Sequence, residues 1–129
     1  MVVVAGPRID TSRLPAVDGP EILGYVDDLY RLFVASDLAI AHGGLSTCME
    51  LTSVRRPFLY FPIRHHFEEN IHVRHRLERY GAGRRMDYAT ADVDAIAEAI
   101  AEEIGRDVDY LPVETDGAAR AAALIGDLL

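Results

Sequence analysis

The sequence predicts an α/β domain in which a parallel sheet is flanked by helices. Short apolar segments alternate with helical patterns along the 129 residues, which is typical of parallel strands joined by helical crossovers. Half of the residues are apolar, enough for a single compact domain over residues 1–129 with its own core. Polar segments at 24–28, 42–47 and 62–70 follow three of the strands. Ligands of such sheets bind at the carboxyl ends of strands, so these segments are the candidate site.

The first elements in chain order are a strand, a loop, a strand and a helix. Residues 2–5 are a short apolar run, and the glycine, prolines and polar residues after it indicate a loop. Residues 21–25 form the second predicted strand. Asp27 or Asp28 can cap the next helix, which we expect to run through Ala35.

The middle of the chain alternates between strand and helix. Residues 38–41 are uniformly apolar, as expected for a buried parallel strand, and residues 46–54 follow as a helix that an Arg-Pro pair terminates. Residues 58–61 are the fourth strand. A loop then leads into a helix over 68–80, which a Gly-Ala-Gly turn ends.

The last elements are a short strand and two helices. Residues 84–86 fit an edge strand. The next helix begins at Thr90 or Asp92 and runs to Ile104, with isoleucines and a valine on one stripe. An alanine-rich helix over 117–129 ends the chain.

The turn after the third strand is the most informative segment, His42-Gly43-Gly44-Leu45-Ser46-Thr47. A strand, a glycine pair and a helix start together present free backbone N–H groups to an anion. Gly43 and Gly44 would let a phosphate approach the backbone, and Ser46 and Thr47 would add hydroxyl donors. A tight turn with an ordinary serine cap is the alternative interpretation.

Glu50 lies four residues after Ser46 and three after Thr47, so it shares their helix face. A carboxylate there would repel phosphate, so a neutral diol such as ribose is its better partner. The local pattern therefore predicts a nucleotide diphosphate site with a sugar attached. We expect Cys48, on the same helix, to fill the core rather than to act as a nucleophile.

Charge and cysteine content narrow the functional classes. The formal net charge is −8 and all 13 basic residues are arginine, which disfavours nonspecific binding to nucleic acid. The single cysteine excludes an internal disulfide and fits a reducing cytosol. No apolar stretch is long enough to span a membrane, and no signal-like segment is present. We therefore expect a cytoplasmic protein that meets a membrane only through a partner or a lipid acceptor.

A second polar cluster follows the fourth strand. Its members are Arg64, His65, His66, Phe67, Glu68, Glu69 and Asn70, with His72 and His75 beyond them. The histidines and acids suggest zinc, but no zinc-finger or metalloprotease spacing occurs, so no metal is expected. We favour a loop that crosses a bound sugar and its phosphates, where Arg64 and His65 offset negative charge. A solvated Arg64 is the alternative.

Several ordered motifs together resemble one known family. They are GYVDDL at 24–29, ASDLAIAHGGLST at 35–47, Glu50, Arg-Pro at 56–57, Pro62, His65 and EEN at 68–70. The pattern resembles the donor-binding half of GT-B glycosyltransferases. Nearest in pattern are family 28, typified by the N-acetylglucosaminyltransferase that forms lipid II, and the UDP-glycosyltransferase group. The resemblance implies the Rossmann-like C-terminal half of that fold, without its first strand–helix unit.

The resemblance implies roles for individual residues in binding the nucleotide. Val26 matches a residue whose backbone pairs with uracil. The turn from His42 through Gly43, Gly44 and Leu45 matches the phosphate-facing turn. Ser46 and Thr47 match donors to the diphosphate. Glu50 matches the carboxylate that accepts from both ribose hydroxyls.

The second cluster matches the part of the family site that holds the sugar. Glu69 and Asn70 correspond to a pair that binds donor-sugar hydroxyls, with Glu68 beside them. His66 and Phe67 lie on an alternative alignment of that pair.

The resemblance also implies an activity. It suggests an inverting, metal-independent hexosyltransferase that uses UDP-N-acetylglucosamine or a related UDP-sugar as substrate and needs no cofactor. His42 is the only candidate catalytic residue, as a donor to the leaving phosphate. The alternative is a histidine that only fixes the turn. The general base and the acceptor site are expected in a separate N-terminal domain or subunit.

Two other functions stay open at this point. One is half of an isomerase similar to UDP-N-acetylglucosamine 2-epimerases, which carry an arginine-rich loop near the position of Arg64. The other is a nucleotide-sugar-binding module without catalysis.

Overall fold

The computed structural model describes residues 1–128 and confirms the α/β class, with parallel strands and flanking helices. The chain divides into two compact units, Met1–Leu32 and a larger one from Phe33 onward. The single domain expected over residues 1–129 stays a prediction.

The first unit contains a two-stranded parallel sheet. Strand β1 (Val2–Val4) pairs with β2 (Glu21–Leu23), so that Val2 lies opposite Glu21. Both strands are shorter than expected. A short 3₁₀ helix, Thr11–Arg13, lies in the connection that the sequence predicted as loop.

The second unit is built on a three-stranded parallel sheet in the order β3-β4-β5. The strands are β3 (Ala39–His42), β4 (Phe58–Phe61) and β5 (Arg84–Arg85). Strand β4 is central and buried at all four positions, which explains its uniformly apolar sequence. His42 lies opposite Phe61, so β3 and β4 end at the same edge of the sheet.

Helices cover both faces of this sheet. One core cluster joins Leu59, Phe61 and Met86 to Ala99 of helix α4 (Val93–Glu103). Side chains alternate along a strand, so Phe58 and Tyr60 face the opposite side. Two further helices contribute buried residues of their own: Cys48, Leu51 and Thr52 come from α2 (Leu45–Ser53), and Leu77 comes from α3 (Arg74–Tyr80).

The structure shows which of the predicted cap residues begin helices α1 and α4. Helix α1 spans Leu29–Ala35, but the Asp28 carboxylate forms an ion pair with Arg31 at 2.8 Å instead of capping backbone N–H groups. Of the two candidate starts for α4, Asp92 is the cap, because its carboxylate accepts from the Ala95 N–H at 2.8 Å.

The final helix, α5, spans Gly117–Gly126. Its expected end at residue 129 lies outside the described residues. None of the helices described here has both the length and the apolar character needed to cross a bilayer.

The helix expected over 68–80 is divided in two. Residues Glu68–Val73 form a π-helix, and α3 continues from Arg74. Within the wider turn of the π-helix, the Asn70 side-chain amide donates two hydrogen bonds, to the carbonyls of Ile63 and His66, at 2.8 Å each. Side-chain hydrogen bonds of this kind carry no signal in apolar periodicity, so the sequence pattern could not separate the π-turn from an α-helix.

Candidate functional site

Helix α2 begins with backbone N–H donors that have no partner in the part of the chain that the structure describes. Gly44 is its N-cap residue and has no side chain to offer. The helical ladder starts with the Cys48 N–H, which donates to the Gly44 carbonyl at 3.0 Å. Among residues 1–128, no acceptor is found for the N–H groups of the three residues between them. Such a helix start carries about half a unit of positive charge, which favours an anion.

The two glycines before α2 have different roles. A Cβ on Gly43 would lie 2.8 Å from Pro62 Cα and 3.1 Å from Glu69 Oε2, so the close packing at this position requires a glycine. A Cβ on Gly44 would meet nothing nearer than His42 Nδ1, at 3.8 Å. The expectation that a phosphate approaches the backbone at both glycines stays a prediction; the structure shows that Gly43 is closely packed by Pro62 and Glu69 and that Gly44 is open.

A cleft of about 210 Å³ lies between the start of α2 and the π-helix. Its eight lining residues are Gly44, Leu45, Ser46, Thr47, His66, Glu68, Glu69 and Val73. All except Val73 were candidates from the sequence, although they come from two segments about twenty residues apart. Val73 is an apolar residue of the π-helix, and the sequence offered only a core pattern for it.

Glu69 is a buried carboxylate that lines this cleft, with its side chain 7% exposed. Its Oε2 accepts a hydrogen bond from the Ile63 N–H at 2.8 Å. Its Oε1 lies 3.8 Å from Nδ1 of His42 and 3.7 Å from Nδ1 of His66. These contacts compensate part of the cost of burying the charge.

Asn70 is committed to the protein through both ends of its amide. Besides the two carbonyls that its nitrogen contacts, its Oδ1 accepts from the Arg85 guanidinium at 3.0 Å. Asn70 therefore stabilises the loop after β4, and its polar atoms do not line the cleft. Arg85, which was not a candidate from the sequence, fixes the amide from strand β5.

The remaining candidates lie outside the cleft. Glu50 is exposed on α2, and its carboxylate has no hydrogen bond or ion pair within the described part of the chain. Arg64 and His65 form an exposed turn, in which His65 has φ of 83°. The Phe67 ring is 66% exposed and packs edge-on against His72. Val26 belongs to the first unit and is partly buried there.

Cys48 has the properties of a core residue. It is fully buried, and its thiol lies 3.8 Å from the His42 carbonyl, to which it donates. Burial, and secondarily the negative charge of Glu69, raise the pKa of the Cys48 thiol to about 12. The thiol is therefore protonated at neutral pH and is a poor nucleophile.

No group of three or more His, Cys, Asp or Glu side chains within residues 1–128 is arranged to hold a metal ion. The histidines of the second cluster are dispersed instead, with His72 against Phe67 and His66 beside Glu69.

A larger cleft, of about 370 Å³, lies beside α3 and shares no residue with the one above. Tyr60, Arg74, Glu78 and Arg85 contribute its polar lining, and Arg74 and Glu78 form an ion pair at 2.7 Å. Judged by volume alone, this cleft would be the better candidate for a ligand site. The free helix donors and the predicted residues favour the smaller one, which we take as the candidate site.

Residues 4–122 match the family model described as glycosyltransferase family 28 C-terminal domain. No solved structure was found to match the chain.

Curated relatives match over most of this chain but over a small part of their own length. An uncharacterized glycosyltransferase of Methanosarcina mazei is 36% identical over 90 residues, which are 67% of this chain and 23% of that protein. The UDP-N-acetylglucosamine–N-acetylmuramyl-(pentapeptide) pyrophosphoryl-undecaprenol N-acetylglucosamine transferase of Cutibacterium acnes is 32% identical over 72% of this chain and 21% of its own. An uncharacterized glycosyltransferase of Methanopyrus kandleri is 32% identical over 83% of this chain and 31% of its own. The chain thus spans between a fifth and a third of these relatives.

Proposed function

Because the chain belongs to the glycosyltransferase family 28 C-terminal domain family, we propose that it is the donor-binding half of an inverting, metal-independent hexosyltransferase. Its donor is UDP-N-acetylglucosamine or a related UDP-sugar, as the name of the Cutibacterium acnes relative suggests. Turnover requires an acceptor-binding half, supplied by an N-terminal domain or a separate subunit.

The observation that carries this proposal is the set of N–H donors at the start of α2 for which residues 1–128 supply no acceptor. They open into a cleft that also contains the hydroxyl-bearing residues Ser46 and Thr47. Backbone N–H groups, hydroxyls and the helix dipole together are suited to the diphosphate of a nucleotide sugar.

The size of the cleft supports binding of only part of the donor here. About 210 Å³ is smaller than typical small-molecule pockets, which are about 300–1,000 Å³. We assign the cleft to the diphosphate and the adjoining sugar. The ribose extends outside it toward Glu50, one turn further along α2, where the exposed carboxylate can accept from both hydroxyls.

Glu68 is the better candidate for contact with the sugar. Asn70 and Glu69 are held by protein partners, whereas Glu68 lines the cleft and is exposed. A carboxylate accepts well from the neutral hydroxyls of a hexose.

In the proposed reaction, an acceptor hydroxyl attacks the anomeric carbon and the nucleotide diphosphate leaves. Negative charge grows on the departing phosphate, and the free donors at the α2 start stabilise it in place. Loss of one such donor costs other enzymes about 10²–10³ in rate. His42 and His66 border this region, and a protonated imidazole there adds a further donor. The general base belongs to the acceptor half.

Calorimetry with UDP tests this proposal in the isolated chain. We expect UDP, UDP-N-acetylglucosamine, UDP-glucose and dTDP-sugars to bind with different affinities, with the uridine forms favoured. Thr47→Val removes one hydroxyl donor from the cleft, so UDP binding should weaken about tenfold or more, as for a hydrogen bond to a charged group.

Ser53→Ala is the matched control for Thr47→Val. Ser53 lies on the same helix, but its hydroxyl donates to the Glu50 carbonyl at 2.7 Å, outside the cleft. Absence of UDP binding in the wild type, or equal affinities in Thr47→Val and Ser53→Ala, would overturn the proposal.

A further inference from the structure

Glu69 lies between the side chains of two histidines, and its two oxygens have different surroundings. Oε2 is occupied by the Ile63 N–H at 2.8 Å. Oε1 faces ring nitrogens, Nδ1 of His42 at 3.8 Å and Nδ1 of His66 at 3.7 Å. These distances are longer than a hydrogen bond and short enough for each ring nitrogen to respond to the carboxylate.

The backbone distinguishes the two histidines. The N–H of Glu69 donates to Nδ1 of His66 at 3.4 Å. An Nδ1 atom that accepts a hydrogen bond carries no proton in the neutral ring, so His66 holds its proton on Nε2. The carboxylate at 3.7 Å favours the opposite ring form, but the Glu69 N–H at 3.4 Å is the closer contact and the one within hydrogen-bond distance, so it decides the form of His66.

His42 has the opposite environment. No N–H donor reaches its Nδ1 within the described residues, and Oε1 of Glu69 lies 3.8 Å from that nitrogen. A carboxylate only accepts, so it favours the ring form with the proton on Nδ1. Nε2 of His42 is then left as a proton acceptor on a ring that is about half exposed.

We propose that Glu69 is a positioning residue that holds neutral His42 in its Nδ1–H form, while the backbone holds His66 in its Nε2–H form. The family resemblance suggested a contact between Glu69 and the sugar, whereas the buried geometry favours action through His42. When Nε2 of His42 takes up a proton, the imidazolium has Glu69 on one side and can donate to an anion on the other. The identity of that anion as a diphosphate rests on the proposed function, but the ring forms do not.

Nitrogen-15 NMR of the unliganded chain tests the ring forms directly. Long-range ¹H–¹⁵N spectra distinguish protonated from bare ring nitrogens, and His42→Gln and His66→Gln assign the signals. At a pH at which the shifts show both rings neutral, we expect the proton on Nδ1 of His42 and on Nε2 of His66.

Glu69→Gln should move the ring proton of His42 from Nδ1 to Nε2 and leave the proton of His66 on Nε2. The amide oxygen can keep the bond from the Ile63 N–H, which turns the amide N–H₂ toward Nδ1 of His42. That nitrogen then accepts, and the proton moves to Nε2. His66 is an internal control because its donor is a backbone N–H, and Glu68→Gln is a neighbouring control that should change neither ring.

A wild-type spectrum with His42 protonated on Nε2 would overturn the proposal, even if Glu69→Gln did not fold. Retention of the Nδ1–H form in a folded Glu69→Gln protein would overturn it as well.

Calorimetry separates a positioning role from direct contact with the sugar. A positioning role lowers the affinities for UDP and UDP-N-acetylglucosamine by the same factor in Glu69→Gln, whereas direct contact lowers only the second. A selective loss for the sugar nucleotide would contradict the inference. Absence of UDP binding in the wild type would refute the proposed function and leave the NMR result as an independent test.

Discussion

The two adjacent glycines before α2 offer a sharp prediction, because the same substitution should have opposite consequences one residue apart. In Gly43→Ala the new methyl would sit 2.8 Å from Pro62 Cα and 3.1 Å from Glu69 Oε2. Neither neighbour can move without a cost in free energy, because Pro62 Cα is a backbone atom and the Glu69 carboxylate accepts a hydrogen bond from the Ile63 N–H. Overpacking of this kind costs about 1–3 kcal/mol, which corresponds to a fall in Tm on the order of 5–10 °C.

In Gly44→Ala the methyl meets its nearest atom at 3.8 Å, and φ of −66° suits any residue. A lower entropy of the unfolded chain adds stability, while alanine is a poorer N-cap than glycine, so the net change should be within about 1 kcal/mol. The methyl stands beside the free donors of α2, and we expect UDP to bind at least several-fold more weakly.

Urea unfolding and calorimetry on both variants measure the two effects separately. The expected pattern is a less stable Gly43→Ala protein and a stable Gly44→Ala protein with weakened UDP binding. Equal stability of Gly43→Ala and wild type would refute the packing argument. Unchanged UDP affinity in Gly44→Ala would refute the assignment of the diphosphate to the α2 start.

Three further predictions concern single residues. Glu50→Gln should weaken binding of UDP more than that of 2′-deoxy-UDP, and equal losses in calorimetry would contradict the ribose contact. Cys48 should resist alkylation at pH 8 until the chain unfolds. Its raised thiol pKa also predicts that stability falls as the pH rises from about 9 to 12, where the unfolded thiol ionises first, and that this decline is smaller in Cys48→Ala, in which the raised pKa values of Tyr60 and Tyr110 still contribute; pH-dependent unfolding measures the difference. Asn70→Ala should lower the free energy of unfolding, measured in urea, by about 1–3 kcal/mol through lost hydrogen bonds. Asp92→Ala, which removes the cap of α4 and does not line the cleft, is the control and should cost about 1 kcal/mol.

Much of the architecture follows from short-range patterns. The apolar segment at Phe58–Phe61 is buried at every position, as the central strand of a parallel sheet must be. The Gly-Gly-Leu-Ser-Thr segment begins α2 within one residue of the expected position. Strand and helix order, the start of α2 and most lining residues of the cleft were predictable, because each depends on neighbours within a few positions.

The sequence pattern failed where a side chain has partners far along the chain. Glu69 and Asn70 are adjacent and similar in polarity, but one turns inward to Ile63 and two histidines while the other is held by Arg85. Both residues lie in the π-helix Glu68–Val73, where the sequence predicted an ordinary α-helix. The sequence predicted a ligand contact at Gly43. Only the three-dimensional structure shows that Pro62 and Glu69 pack so closely against this residue that a side chain would not fit.

The sequence by itself therefore determined that a helix start with a glycine pair and two hydroxyl-bearing residues follows the third strand and that acidic and histidine residues follow the fourth. Only the tertiary structure decided which of the two acids that line the cleft is exposed, which is buried and which glycine is open. The physical reason is that periodicity and capping are local, whereas the surroundings of Glu69 combine atoms from the end of β3, the loop after β4 and the π-helix. A residue's role there depends on how those three segments pack, and no single one of them encodes that packing.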